Sequence, residues 1–180
     1  MFHYNGIGLR LVEEKDLEEM RALRNSQSTW LWLTDVKQIS KIQQKQWYDN
    51  LSLDNSIEYY AIVEVKHDFP IQFEGDFLGI ARITNIDLVN RSAMIGLDIR
   101  PNFRGQGLGT KAFGAILEYY FQHRHSHRLH LMVLEKNEVA KKLYTTAGFK
   151  EEGRQRDAIW RNGRWNNYIA MSMLEGEYRK

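Results

Sequence analysis

A glycine-rich segment at residues 104–109 constrains the fold more than any other feature of the chain. It follows a run of strand character at Ser92–Ile99, whose continuation Pro101 blocks, and it opens a helix expected from about 110 to 122. Glycine lacks the Cβ atom that would hold a ligand away from the backbone. Amide groups at the start of a helix point outward, and the helix dipole favours an anion there. Because Arg104 adds a positive charge, this strand–loop–helix unit is a candidate pyrophosphate site.

The same glycines would also suit a tight strand-to-helix turn that binds nothing, and the loop by itself leaves that interpretation open. Two nucleotide-binding motifs are excluded. No Lys-Ser or Lys-Thr pair follows the glycines, so the segment is not a P-loop. The spacing of Gly105, Gly107 and Gly109 also differs from the dinucleotide fingerprint, which has two residues before its last glycine.

Composition excludes several classes of function. The chain has 43% hydrophobic and 27% charged residues, as in an ordinary globular protein, and lacks an apolar run near the roughly 20 residues of a membrane span. The absence of cysteine excludes a disulfide, a thiolate nucleophile and a cysteine-ligated metal, and it fits a cytoplasmic location. A net charge of +2 is too small to favour nucleic acid. The histidine-rich run at 123–130 is interpreted as a solvated basic turn, so no metal is expected.

The remaining sequence predicts one α/β (α+β) domain over residues 1–180. Its central sheet is expected to be mixed but mostly antiparallel, with about seven strands and about four flanking helices, because short links join consecutive strands. Asn162-Gly163 is a strong hairpin signal, and His67 to Glu74 is expected to be a loop. The expected strands are Ile7–Val12, Glu58–Val65, Phe77–Ile86, Ser92–Ile99, Leu129–Val133, Phe149–Trp160 and Trp165–Met173; the expected helices are Lys15–Asn25, one capped by Ser40, Thr110–Gln122 and Asn137–Ala147, the last ending at Gly148.

Two blocks of sequence then point to a family. Arg104-x-x-Gly107-x-Gly109 resembles the acetyl-CoA signature of the GCN5-related N-acetyltransferases. The block from Asn137 to Tyr144, closed by Ala147-Gly148-Phe149, is similar to the second conserved block of that family. The resemblance extends from Leu9 to Met173, and it is nearest to the ribosomal-protein alanine and spermidine acetyltransferases. Bacterial aminosugar acetyltransferases share much of this layout.

The resemblance implies direct attack of a neutral amine on the thioester of acetyl-CoA in a ternary complex. It implies a sheet splayed at the cofactor site, with Tyr144 as general acid for the leaving thiolate. The helix by itself would equally allow Tyr144 to be a core aromatic and Asn137 to be only an N-cap. The cofactor-binding residues that the resemblance implies are Leu97, Ile99, Arg104, Gly105, Gln106, Gly107, Gly109, Thr110 and Asn137.

The general base and the acceptor site are less defined. Many relatives carry Glu in the strand before the loop, but the matching stretch here, 93–96, is Ala-Met-Ile-Gly. Asp98 and Glu58 are the candidate carboxylates, each of which could also be a solvated surface group. The resemblance implies that Trp30 and Trp32, with Trp47 and Tyr48, form an aromatic lip of the acceptor pocket; alternatively they close the core beneath the first two helices.

The function expected from the sequence is acetyl transfer from acetyl-CoA to a primary amine of a small metabolite, namely a polyamine, an aminosugar or an amino acid derivative. A protein N-terminus is the alternative acceptor. A catalytically silent acyl-CoA-binding sensor module is the alternative from another class. The resemblance is also compatible with a homodimer formed by exchange of a strand or hairpin.

Overall fold

The computed structural model describes residues 2–65 and 75–178, and eight strands in these ranges form one sheet in the order β1-β2-β3-β4-β5-β6-β8-β7. The loop expected from His67 to Glu74 lies outside the described residues. The strands are β1 Phe2–Tyr4, β2 Ile7–Leu11, β3 Glu58–Glu64, β4 Phe77–Asp87, β5 Ser92–Ile99, β6 Arg128–Leu134, β7 Lys150–Arg161 and β8 Arg164–Leu174. The α-helices are α1 Leu17–Asn25, α2 Gln27–Trp30, α3 Lys41–Leu51, α4 Leu108–Glu118, α5 Glu138–Thr146 and α6 Glu175–Tyr178.

This architecture confirms the expected α/β class but corrects the expected counts of seven strands and four helices. The additional strand, β1, is joined to β2 by Asn5-Gly6, whose φ angles of 49° and 80° match those of the predicted Asn162-Gly163 turn, 51° and 71°. A strand of three residues is too short to show alternation. The additional helices, α2 and α6, have four residues each, which is also too short for a helical period.

Helix boundaries follow local signals that the sequence contains. Ser40 caps α3 with a capping box that Gln43 completes, as expected. The helix expected to end at Gln122 instead leaves the α form after Glu118 and continues as a π turn at Tyr119–His123. A 3-10 turn, Glu14–Asp16, precedes α1.

The sheet is antiparallel except where β5 meets β6. These two strands run parallel and pair only at 92–94 with 128–130, so residues 95–99 diverge from β6. The expected splay of the sheet is therefore present, and it leaves one side of the β5 backbone without a strand neighbour over Ile95–Ile99.

Helices cover both faces of the sheet. On one face, the fully buried side chains of Phe113 and Ile116 from α4 pack into the main core. On the other face, Met20 and Leu23 of α1 pack on the small residue Ala61 and its neighbours. No helix in the described part of the chain is long and apolar enough to cross a membrane.

Candidate active site

The glycine loop has the open backbone that the sequence predicts. Gly105 and Gly107 have φ angles of 76° and 77°, which only glycine adopts without strain, and Gly107 is the N-cap of α4. The Lys111 amide donates to the Gly107 carbonyl. The amides that precede Lys111 at the start of α4 have no acceptor within the helix. The Gln106 side chain braces the loop by donating to the carbonyl of Asn102 at 3.0 Å. This backbone fits a pyrophosphate, because a Cβ is absent where the phosphate would approach.

The Arg104 side chain is used differently from the expectation. Its guanidinium donates to the Ile99 carbonyl at 2.8 Å, the Ser28 carbonyl at 3.0 Å and the Thr29 hydroxyl at 2.7 Å. Arg104 therefore ties the glycine loop to α2, and its role as a phosphate ligand stays a prediction. The same contact occupies one lone pair of the Ile99 carbonyl.

Helix α5 places the second conserved block against the splay. The Asn137 side-chain oxygen accepts the Ala140 amide at 3.2 Å, so Asn137 is the N-cap. Two turns later Tyr144 is 8% exposed, and its ring packs on Phe113 with centroids 5.1 Å apart. Gly148, with a φ of 102°, ends the segment as predicted. Tyr144 is thus both a packed aromatic and a residue at the edge of a cavity.

Two grooves meet at Tyr144. The loop groove, about 340 Å³, extends along Arg104, Gly105 and Gly109. The strand groove, about 450 Å³, extends along Tyr59, Arg82 and the splayed parts of β5 and β6. Residues shared by both grooves are Trp32, Leu97, Asp98, Asn137, Ala140 and Tyr144.

The chemistry at this junction centres on a protonated phenol. Burial raises the pKa of Tyr144 to about 12, and the negative charge of Asp98 adds to the rise. Among the described residues, no group hydrogen-bonds to the Tyr144 hydroxyl, so its proton is available at neutral pH. Asp98 is ion-paired with Arg82, 3.1 Å from Nη2 to Oδ2. We call Tyr144, Asp98 and Arg82 the groove cluster.

Two residues that the sequence analysis nominated lie elsewhere. Neither Glu58 nor Trp30 lines either groove. Trp32 lines both grooves and is 47% exposed. Burial alone would raise the pKa of Glu58, but three donors outweigh it and lower that pKa. The Glu58 cluster comprises Glu58, whose carboxylate accepts hydrogen bonds, and its donors Tyr60, Tyr120 and Arg124.

Two arginines of the strand groove, Arg24 and Arg82, were not predicted from the sequence. Arg82 lies across Gly96, where a Cβ would be 3.2 Å from its Nη2. A glycine inside a strand often marks such a close approach, and that signal was present in the sequence. Within residues 2–65 and 75–178, no group of three or more metal-ligating side chains converges.

Comparison with known proteins places the chain in a family. The model of the acetyltransferase (GNAT) domain matches residues 7–150. The chain therefore belongs to the GNAT acetyltransferase family, and the expectation of an acetyl-CoA-dependent N-acetyltransferase is confirmed at that level.

Named relatives cover almost the whole chain. It is 26% identical to a spermidine N(1)-acetyltransferase of Escherichia coli K12, over 97% of this chain and 89% of that protein. It is 28% identical to the putative ribosomal N-acetyltransferase YdaF of Bacillus subtilis 168, over 96% of this chain and 93% of that protein. A crystal structure of the Vibrio cholerae spermidine N-acetyltransferase with CoA and spermine superposes with a TM-score of 0.89 at 23% identity, covering 98% of this chain and all of that one. At 23% identity, this structural similarity shows a shared fold.

Proposed function

We propose that the protein acetylates a primary amine of a small metabolite, with the donor in the loop groove and the acceptor in the strand groove. The observation that carries the proposal is the position of Tyr144, which lines both grooves at the point where they meet. The backbone of Leu97 lies beside the splay, where the extended arm of the donor would add to the sheet edge. Asn137 lines the same junction.

In the proposed reaction, the amine nitrogen attacks the thioester carbonyl carbon and the carbon–sulfur bond breaks. The departing sulfur takes the proton of the Tyr144 hydroxyl, and the nitrogen loses a proton to water or to a nearby carboxylate. Asp98 is the carboxylate of the groove cluster for this second role. A phenol with a pKa of about 12 remains protonated until the thiolate forms.

The names of the relatives make polyamines the first acceptors to test. The experiment is a free-thiol assay with acetyl-CoA and a panel of spermidine, glucosamine, amino acids and an alanine-terminated peptide. Turnover with a small amine that Tyr144→Phe abolishes supports the proposal. Tyr48→Phe is a matched control, since that phenol is half-buried on α3 and lines neither groove.

A protein N-terminus is the second candidate acceptor. The observation that favours it is electrostatic: both carboxylates of the strand groove are already paired, Asp35 with Arg24 and Asp98 with Arg82. The groove therefore has no excess negative charge to attract a polycation. Turnover of the peptide alone would establish this alternative. Acetyl-CoA binding without thiol release for any acceptor would leave the silent sensor module.

We also propose that the chain self-associates, a homodimer being the smallest assembly. Among the described residues, no strand pairs with the outer edge of the twelve-residue strand β7, which suits pairing with a second copy. A structural neighbour from Vibrio cholerae is described as dodecameric. Light scattering on the purified protein tests this, and a monomer at micromolar concentration would exclude it.

A further inference from the structure

A second recess adjoins the strand groove, between α1, α3 and the sheet. We call it the α3 recess; its volume is about 270 Å³. Arg24, Tyr59 and Arg82 line both the recess and the strand groove, so the two spaces adjoin at these side chains. Of the residues that the sequence nominates for the acceptor pocket, Trp47 lines this recess.

The walls of the α3 recess are mainly apolar. Trp47 meets Tyr59 edge to face with ring centroids 4.8 Å apart, and both rings are only half-buried. A concave aromatic wall of this kind suits an apolar or aromatic substituent of a ligand. Besides the three shared residues, the lining residues are Met20, Ile39, Gln43, Gln44, Trp47 and Ile80.

Two guanidinium groups stand where the recess meets the groove. Arg24 contacts Asp35 at 3.3 Å and Arg82 contacts Asp98 at 3.1 Å, and the two arginine side chains are 27% and 24% exposed. A guanidinium has five N–H donors in a fixed fork, so each arginine keeps donors for an incoming carboxylate. The position of Arg82 is fixed by the space above Gly96.

A third guanidinium adds positive charge beside the same groove. Arg161 is 9% exposed and donates to the backbone carbonyls of Leu33 and Trp160. Within the described ranges no carboxylate contacts it, and its Nε has no partner. The groove lining thus has two guanidinium groups paired with two carboxylates, and Arg161, which lines neither space, adds one positive charge behind Leu33. This balance disfavours a polycation and favours a ligand that carries an anionic group.

We propose that the strand groove and the α3 recess together select an acceptor whose amine lies beside a carboxylate and whose remaining substituent is apolar or aromatic, as in a hydrophobic α-amino acid. The carboxylate would pair with Arg24 and Arg82, the apolar substituent would enter the recess, and the amine would face Tyr144. One carbon separates the amine from the carboxylate in such a molecule, and Arg82 and Tyr144 line the same groove. This inference rests on the proposed function and names its substrate class.

A set of matched acceptors separates the parts of this proposal. L-phenylalanine presents all three features, L-phenylalaninamide lacks the anion, L-alanine lacks the large apolar group, and spermidine is a polycation. We expect kcat/KM for phenylalanine to exceed each of the others by at least about tenfold, because a charge-assisted pair or a buried ring contributes on that scale.

Variants assign the selectivity to the recess. Arg24→Gln should raise KM for phenylalanine about tenfold and leave KM for phenylalaninamide unchanged. Arg21→Gln is the matched control, because Arg21 lies one turn earlier on α1, bonds to Glu18 and lines neither space. Trp47→Ala should raise KM for phenylalanine and leave KM for alanine unchanged. Thermal unfolding is measured to show that the variant is folded.

The outcomes distinguish this inference from the proposed function. Equal kcat/KM for the acid and its amide, or a spermidine preference that Arg24→Gln leaves intact, overturns the substrate class while the transferase stands. If no amine releases thiol, the proposed function fails, and calorimetric titration of phenylalanine into the CoA complex tests the recess separately. Binding there that Arg24→Gln weakens and Arg21→Gln does not supports the recess, and no binding overturns it.

Discussion

Two clusters of the same chemical make-up, tyrosine with carboxylate and arginine, lie in different parts of the molecule. In the Glu58 cluster, two phenols and a guanidinium all donate to one carboxylate. In the groove cluster, the Tyr144 hydroxyl has no hydrogen-bond partner among the described residues, and Arg82 keeps donors that face a cavity. The same residue types therefore occur both at a candidate reactive site and at a site that only stabilises the fold. The feature that marks the reactive site is hydrogen-bonding capacity that is unused and faces a cavity.

The largest expected effect separates the two clusters by turnover. Tyr144→Phe should lower kcat about 100- to 1,000-fold with little change in KM, because it removes only the proton delivered to the leaving group. Tyr120→Phe, in the Glu58 cluster, should leave kcat near the wild-type value. Steady-state thiol release measures both. Comparable loss of turnover in the two variants would contradict the assignment of the reactive site to the groove cluster.

The next effect separates them by stability. Glu58→Ala leaves two phenols and a guanidinium without their acceptor, and we expect the free energy of unfolding to fall by about 2–3 kcal/mol. Asp98→Ala should cost less, about 1 kcal/mol, because it leaves one partner, Arg82, without its carboxylate, whereas Glu58→Ala leaves three donors without theirs. Urea unfolding of both variants is the measurement. A larger loss for Asp98→Ala than for Glu58→Ala would contradict the comparison.

A smaller effect concerns the pKa of Tyr144, which burial raises to about 12 with a further contribution from Asp98. Asp98→Asn removes the negative charge, so the pKa of Tyr144 should fall, yet stay above its ordinary value of 10.0 because burial is the larger cause. Ultraviolet difference titration against a Tyr144→Phe reference measures the shift. An unchanged or higher pKa would show that Asp98 does not act on the phenol.

The smallest effect concerns an exposed counterpart of the two clusters. Arg128 and the Ser172 hydroxyl donate to Glu152, lowering the pKa of that carboxyl from 4.5 to about 2. Because the folded-state pKa is the lower one, the pair stabilises the fold above about pH 4.5 and loses this contribution as the pH falls towards 2.

The Glu152 carboxylate is 39% exposed, so we expect less than about 1 kcal/mol from the pair. Glu152→Gln should therefore lower the unfolding temperature slightly at pH 7 and not at pH 2. Scanning calorimetry at both values checks this. A deficit that persists at pH 2 would assign the effect to packing and not to charge.

Local features of the fold could be predicted from the sequence, because each depends on neighbouring residues. Ser40 and Asn137 cap their helices, and Asn162-Gly163 makes the predicted hairpin turn. The Asn5-Gly6 turn carries the same signal and was missed only because the strand before it has three residues.

Long-range contacts could not be predicted. Glu58 meets Tyr120, 62 residues away, and Arg104 meets Thr29, 75 residues away. No local pattern specifies which distant group will pair with the acceptors of Glu58 or the donors of Arg104, so both residues looked freer in the sequence than they are in the fold. The same limitation hid the role of Arg82, which depends on the opposing Gly96.

The short parallel pairing of β5 with β6 has a mechanical consequence. Three residue pairs join these strands, whereas seven join β4 to β5 and seven join β6 to β8. From β2 to β8 this seam has the fewest paired residues, so a force applied across that part of the sheet would separate it there first. A ligand whose extended arm fills the splay would add backbone hydrogen bonds at this seam. The force needed to separate β5 from β6 would then report whether the cleft is occupied.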